Sequence, residues 1–200
     1  MRNNLSKLLF SLMLMGLLPW NVAVANAADV DLQPGAKAPA FTLPSQDGTP
    51  VNLSDYHGKW VVLYFYPKDK SSGCTIQAHA YQSNLPQFES HNAVVLGVSL
   101  DTADSHKSFC AQDGLTFKLL ADPQREAAAA YGVPLMTFKD MKFDERDTFL
   151  IAPDGKIAQV WRKVDPREDS KIVLQAIATD RKSTRLNSSH FQVSRMPSSA

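Results

Sequence analysis

The sequence predicts a three-layer α/β domain, in which helices cover both faces of one sheet. Three features carry that prediction. Two short apolar runs, Trp60 to Tyr66 and Ala93 to Leu100, are rich in β-branched and aromatic residues and too short for helices. Each is followed by a segment of helix-forming composition. The chain then closes with a strand–turn–strand pattern and one more amphipathic stretch.

The elements follow in order. Leu32 to Asp55 is broken by Pro34, Pro39, Pro44 and Pro50, and the turn signal Gln46 to Thr49 separates "AFTL" from "VNL", which predicts a hairpin. Trp60 to Tyr66 is a strand buried on both faces, ended by Pro67. The stretch after Cys74 suits a helix broken near Pro86. Ala93 to Leu100 is the second buried strand. Asp101 to Asp104 opens a helix that carries Ser105, His106, Phe109 and Cys110 and stops at Gly114. Phe117 to Asp122 reads as a third strand, and "QREAAAAYG" as a short helix ending at Gly132. "RDTFLIAPDGKIAQVWR" is a hairpin around Pro153-Asp154-Gly155, and Pro166 to Ala178 is a closing helix whose apolar side is Ile172, Leu174 and Ile177.

The two ends are of a different kind. Residues 1–27 read as a cleavable export signal: basic Arg2 and Lys7, an apolar Leu8 to Leu18, and the small-x-small site Ala25-Asn26-Ala27. That run is short for a bilayer span and polar sequence follows it, so cleavage after Ala27 and no stable membrane association are expected. No twin-arginine pair or lipidation cysteine marks another route. Residues 180–200 are serine-rich and have no apolar face, which predicts an unstructured tail. The string resembles the conceptual translation of a sequencing adapter, so the native C-terminus is expected near residue 179. Of the formal charge of +1, these ends carry net positive charge, which leaves residues 28–179 at about −4. A mildly acidic domain without a basic run argues against a nucleic-acid partner. At about 150 residues it can bury a core without a disulfide staple.

The chemistry centres on Cys74. It falls at the start of a helix leaving the C-terminal end of a buried strand, where open α/β sheets build their sites. Unpaired N–H groups and the positive helix end favour a thiolate there. Gly73 permits close approach of a small ligand, and the Ser71 hydroxyl can hydrogen-bond to one. Arg146, read from its residue type alone, is a surface cation at a strand start. The second cysteine, Cys110, is 36 residues downstream.

"YPKDKSSGCT" resembles the active-site loop of the peroxiredoxins, where a proline, a hydroxyl residue four positions on and a cysteine three beyond surround a peroxide. Here these are Pro67, Ser71 and Cys74. The chain is most similar to peroxiredoxin Q, or bacterioferritin comigratory protein, from Leu32 to Ala178, through "PGAKAPAFTLP", "VVLYFYPKD", "VLGVSLD", "SHKSF", "LLAD", "YGV" and the segment from Arg146 to Ile157. The resemblance implies a thioredoxin-like α/β/α domain with a central mixed sheet, with no cofactor and no metal. It implies a thiol peroxidase for hydrogen peroxide and organic hydroperoxides that serves antioxidant defence. Cys74 would be oxidised to a sulfenic acid, Ser71 would hold the peroxide, Pro67 would shield the sulfur, and Arg146 would favour the thiolate. It also implies a thioredoxin-like protein reductant and a monomer. With the export signal, that places the protein in a bacterial periplasm.

Three positions depart from the family's habit: Ser71 replaces threonine, Ser72 replaces proline, and Gln77 stands where glutamate is common. His79 occupies the place of the nearby resolving cysteine found in many members. The resemblance therefore assigns resolution to Cys110, as in another branch with this spacing. Cysteines on separate helices are not expected within the 4.4–6.8 Å between Cα atoms that a disulfide needs. The turn holding Cys74 and part of the Cys110 helix are expected to unwind on oxidation. Three alternatives stay open: an exported thiol–disulfide oxidoreductase, which wants a CxxC pair; a thioredoxin-fold copper binder, which wants a close cysteine pair and a placed histidine; and a non-catalytic module with a structural disulfide.

Overall fold

A computed structural model describes residues 30–180. The export signal expected at residues 1–27 and residues 181–200 of the expected tail lie outside the described residues.

The order of elements is β1 (Thr42–Pro44), β2 (Pro50–Asn52), a 3-10 turn (Leu53–Tyr56), β3 (Trp60–Phe65), α1 (Ser72–Ser90), β4 (Ala93–Ser99), α2 (Ala103–Asp113), β5 (Lys118–Ala121), α3 (Glu126–Ala130), β6 (Leu135–Phe138), β7 (Met141–Asp144), β8 (Asp147–Ile151) and β9 (Ile157–Trp161). A last helix, α4, covers residues 169–180. Five strands form the central sheet in the order β5-β4-β3-β8-β9. β3 runs parallel to β4, and β4 to β5, while β8 is antiparallel to both β3 and β9, so the sheet is mixed.

The two-residue period of β3 explains the layers. Trp60, Val62 and Tyr64 face one core, with Ala78, Tyr81 and Phe88 of α1, Phe109 and Cys110 of α2, and Val173 and Ile177 of α4. Val61, Leu63 and Phe65 face the other, with Leu43, Val51, Ala127, Ala128 and Tyr131. All six residues of β3 are buried, which is why this strand has no polar alternation. Gly97 of β4 makes room for this packing: a Cβ there would lie 2.6 Å from the Tyr64 ring.

Two features differ from the sequence expectation. α1 runs unbroken for 19 residues through Pro86. Pro86 is exposed, so the carbonyl one turn earlier that loses its donor can turn to water, while Tyr81 and Phe88 keep the buried face continuous on either side. The antiparallel pair β6–β7 was not expected at all. Its large apolar residues Leu135, Met136, Phe138 and Met141 are exposed, and Lys139 adopts the left-handed turn conformation at φ 53°.

Candidate active site

The register of the central sheet brings the site together. Phe65, the last residue of β3, pairs with Asp147, the first of β8. The loop leaving β3 and the residue entering β8 therefore emerge side by side. Pro67 and Ser71 lie in the first of these, and Arg146 immediately precedes the second. Ser71 is the N-cap of α1, which puts Cys74 in the helix's first turn, where N–H groups have no intrahelical acceptor.

Arg146 reaches from the β8 side to the sulfur: its Nη2 donates to Cys74 Sγ at 3.3 Å. Its Nη1 donates to Gln77 Oε1, one turn further along α1. Gly73 leaves a slot for the guanidinium, since a Cβ there would stand 3.3 Å from Nη2. The adjacent carboxylate, Asp147, does not compete for Arg146; it accepts from Arg162 Nη1 at 2.8 Å and from the Lys163 amide at 3.0 Å. Cys74 is buried, Arg146 half-buried. This arrangement presents a positive N–H to a sulfur in the positive end of a helix field, the setting in which negative charge on sulfur or on an attacked oxygen is stabilised.

Behind Gln77 stands Asp169, the first residue of α4. Its Oδ2 accepts from Gln77 Nε2 at 2.6 Å, Tyr81 OH at 2.7 Å and Thr148 Oγ1 at 2.9 Å. Burial pushes this carboxyl up, against the hydrogen bonds and the Arg146 charge that pull it down.

A second buried network holds the loop itself. Asp69 accepts from Tyr66 OH at 2.7 Å and Ser105 Oγ at 2.7 Å, and its Oδ2 lies 2.9 Å from His106 Nδ1. The Asp69 amide donates to Asp101 Oδ2 at 2.8 Å, and Lys70 Nζ to Ser108 Oγ at 2.7 Å. Burial alone would raise the Asp69 carboxyl, but His106, Ser105 and Tyr66 together hold it below its ordinary value. The loop before Cys74 is thus fastened to the first half of α2.

Cys110 sits one turn after His106 on the buried face of α2. Burial, and then the Asp69 charge, push its thiol from an ordinary 9.0 up to about 11. Both cysteines are free and lie on separate helices. His79 is exposed and faces Asp113 of α2 at 3.0 Å, as expected of a solvent-side helix residue.

The structure brings Cys74, Arg146 and the loop carrying Pro67 and Ser71 together. The Ser71 hydroxyl donates to the Lys68 carbonyl at 3.0 Å. Sequence reasoning missed Asp169, Asp69 and His106 as parts of the site. Nothing in the sequence marks Asp69 or Asp169 as buried, and the structure leaves them 6% and 0% exposed. Among the described residues no group of His, Cys, Asp and Glu could hold a metal ion.

Comparison with known proteins identifies the family and the fold. The model of the AhpC/TSA family matches residues 34–160. A putative peroxiredoxin of Mycobacterium tuberculosis (strain CDC 1551 / Oshkosh) is 46% identical over 129 residues, covering 63% of this chain and 82% of that protein. Peroxiredoxin Bcp of Xanthomonas campestris is 39% identical over 145 residues, covering 70% and 91%. The crystal structure of a cysteine-to-serine mutant of Xylella fastidiosa PrxQ superposes with a TM-score of 0.72 at 36% identity, covering 76% of this chain and 99% of that one.

Proposed function

The chain belongs to the AhpC/TSA family and to its peroxiredoxin Q (Bcp) branch, a thioredoxin-like fold with thiol peroxidase function, and from that premise we propose a residue-level mechanism. The observation that carries it is the 3.3 Å contact from Arg146 Nη2 to Cys74 Sγ in the first turn of α1.

The Cys74 thiolate attacks the terminal oxygen of the peroxide. A sulfur–oxygen bond forms, the O–O bond breaks, and sulfur takes the OH as a sulfenic acid. The leaving oxygen departs as hydroxide or alkoxide and collects a proton, giving water or an alcohol. Arg146 faces the developing negative charge, the Ser71 hydroxyl, whose own proton goes to the Lys68 carbonyl, accepts from the peroxide O–H, and Pro67 screens the sulfur. Sulfur is oxidised and the peroxide reduced by two electrons.

Cys110 then condenses with the sulfenic acid, giving an intramolecular disulfide and water. Another dithiol, a thioredoxin-like protein in the compartment of this chain, returns both cysteines to thiols. Two observations support Cys110. It is the other cysteine of the chain, 36 positions from Cys74. In Xanthomonas campestris PrxQ the two cysteines replaced in separate mutant structures are also 36 positions apart. The substrate reading leans on the alkyl peroxide reduction activity of the bacterioferritin comigratory protein of that species, a structural neighbour of this chain. We propose export for this chain from its N-terminal residues, tested by fractionation of cells expressing it.

The test is peroxide consumption by the full chain with dithiothreitol as donor. Cys74→Ser should abolish it. Cys110→Ser should retain the first turnover and lose the disulfide, seen by intact mass. Full activity of Cys74→Ser would overturn the assignment of the nucleophile. A Cys110→Ser protein that cycles at the parent rate with a thioredoxin-like protein donor and no added small thiol would overturn that of the resolving thiol.

A further inference from the structure

We propose that Asp169, remote from the sulfur, is a positioning residue for peroxide reduction and acts through the side-chain amide of Gln77 on Arg146; this rests on Cys74 being the peroxide-reacting thiol.

Asp169 and Gln77 have zero exposure, so neither can exchange its partner for bulk water. An ionised carboxylate only accepts hydrogen bonds, whereas an amide has one accepting and one donating end. Gln77 must therefore turn its Nε2 toward Asp169, and it does so at 2.6 Å. Its Oε1 is then directed at Arg146, where it accepts from Nη1. The reversed amide would set oxygen against oxygen at Asp169 and N–H against N–H at Arg146. The second nitrogen, Nη2, is left to the sulfur. Asp169 in this way fixes the guanidinium without touching it.

The rest of the pocket leaves Gln77 as the adjustable part. Gly73 bounds the guanidinium on one side, with a would-be Cβ 3.3 Å from Nη2 and 3.9 Å from Pro166 Cγ. Asp169 is anchored by Tyr81 OH and Thr148 Oγ1, and Tyr81 is stacked on Tyr64 at 4.7 Å between ring centroids. α4 is tied to α1 again by Asn84 Nδ2 to Ser170 Oγ at 3.0 Å. All three hydrogen bonds to the Asp169 carboxylate fall on Oδ2, and of their donors only Gln77 leads to the site. A neutral amide between carboxylate and arginine also leaves the positive charge of Arg146 directed at the sulfur rather than cancelled by direct ion pairing.

The experiment relocates the carboxylate. In Gln77→Glu two carboxylates would face each other across a hydrogen-bond distance in a buried site, and one must take up a proton or move away. The expected result is a fall of about ten-fold or more in kcat/KM for hydrogen peroxide and a displaced pH–rate profile. Adding Asp169→Asn to it restores a donor opposite the new carboxylate, and the double variant is expected to recover most of the rate. Asp169→Leu, which removes the acceptor, is expected to lower kcat/KM by a similar factor and to move the pH–rate profile. A merely structural Asp169 would lower the melting temperature and leave that profile in place. Three results would overturn the proposal: Gln77→Glu at the parent rate, a double variant no better than Gln77→Glu, or a folded Asp169→Leu with the parent's rate and profile. Activity surviving in Cys74→Ser would instead overturn the underlying assignment of the thiol.

Discussion

Cys110 offers the sharpest quantitative test, because its environment in the reduced fold opposes the chemistry proposed for it. Its thiol is 9% exposed and held at about 11, against an ordinary 9.0. At pH 7 that leaves about one thiolate in 10⁴, against about one in 10² for the ordinary value, a loss of about 100-fold in the nucleophilic form before access is considered. In the reduced Cys74→Ser chain, iodoacetamide should therefore label Cys110 at least ~100-fold more slowly at pH 7 than in the same chain unfolded in urea, as followed by intact mass. The sign with pH follows from the raised value. The folded state keeps the proton, so the contribution is fully present below about 9 and is lost as pH rises toward 11. It reaches roughly 3 kcal/mol at its largest, and opening around Cys110 should become easier in alkali. Labelling within a few-fold of the unfolded rate at pH 7 would refute the reasoning. It would mean that the thiol is ready for attack where it stands and that α2 need not open.

Other outcomes follow from the same contacts. Arg146→Leu removes the donor to Cys74 and should lower kcat/KM for peroxide by about 10²–10³, with the fold retained by circular dichroism. Gly73→Ala should separate activity from stability: a helix position gains from alanine by up to about 1 kcal/mol, while the Cβ crowds the Arg146 guanidinium and peroxide turnover falls. His106→Leu leaves Asp69 buried without its main partner and should cost about 3–5 kcal/mol in urea melts. Because Asp69 is held below its ordinary value in the parent, its contribution to the parent's stability should be full above about pH 4 and be lost as pH falls through the depressed value. Gly97→Ala places a Cβ 2.6 Å from Tyr64, within the core rather than the site, and should destabilise by about 1–3 kcal/mol.

Strands β3 and β4 were legible because they are apolar on both faces, a pattern set by burial and visible without partners. Cys74 was legible because its setting, a strand end followed by a glycine-bearing helix start, is local in sequence. Arg146 was not legible from its own residue type; the family motif pointed to it, and the Phe65–Asp147 register explains it. The β6–β7 hairpin escaped because burial, the usual cause of apolar alternation, is missing there: Phe138 and Met141 are 59% and 50% exposed. Its turn also lacks a glycine or asparagine, since Lys139 takes the left-handed position. Pro86 misled for a related reason: it lies on the exposed side of α1, where the freed carbonyl can turn to water, and the packing of Tyr81 and Phe88 holds the helix on either side. Asp69 and Asp169 escaped because a charged residue in sequence carries no sign of being buried. Their partners are 37 and 92 residues away in His106 and Gln77.

Those two carboxylates divide the site into a part that stays and a part that opens. The Asp169 network joins the body of α1 to β8 and α4, and it is backed by the stacked pair Tyr64–Tyr81. Nothing in it crosses to α2. The Asp69 network joins the loop before Cys74 to Ser105 and His106, on the same helix as Cys110. If Cys74 and Cys110 pair as proposed, the second network and the first turn of α1 are expected to part, while the first network can remain whole. Arg146 would then stay behind with Gln77 as the sulfur leaves. The cation proposed to assist attack on peroxide would be removed from the sulfur at the step where a second peroxide could over-oxidise it.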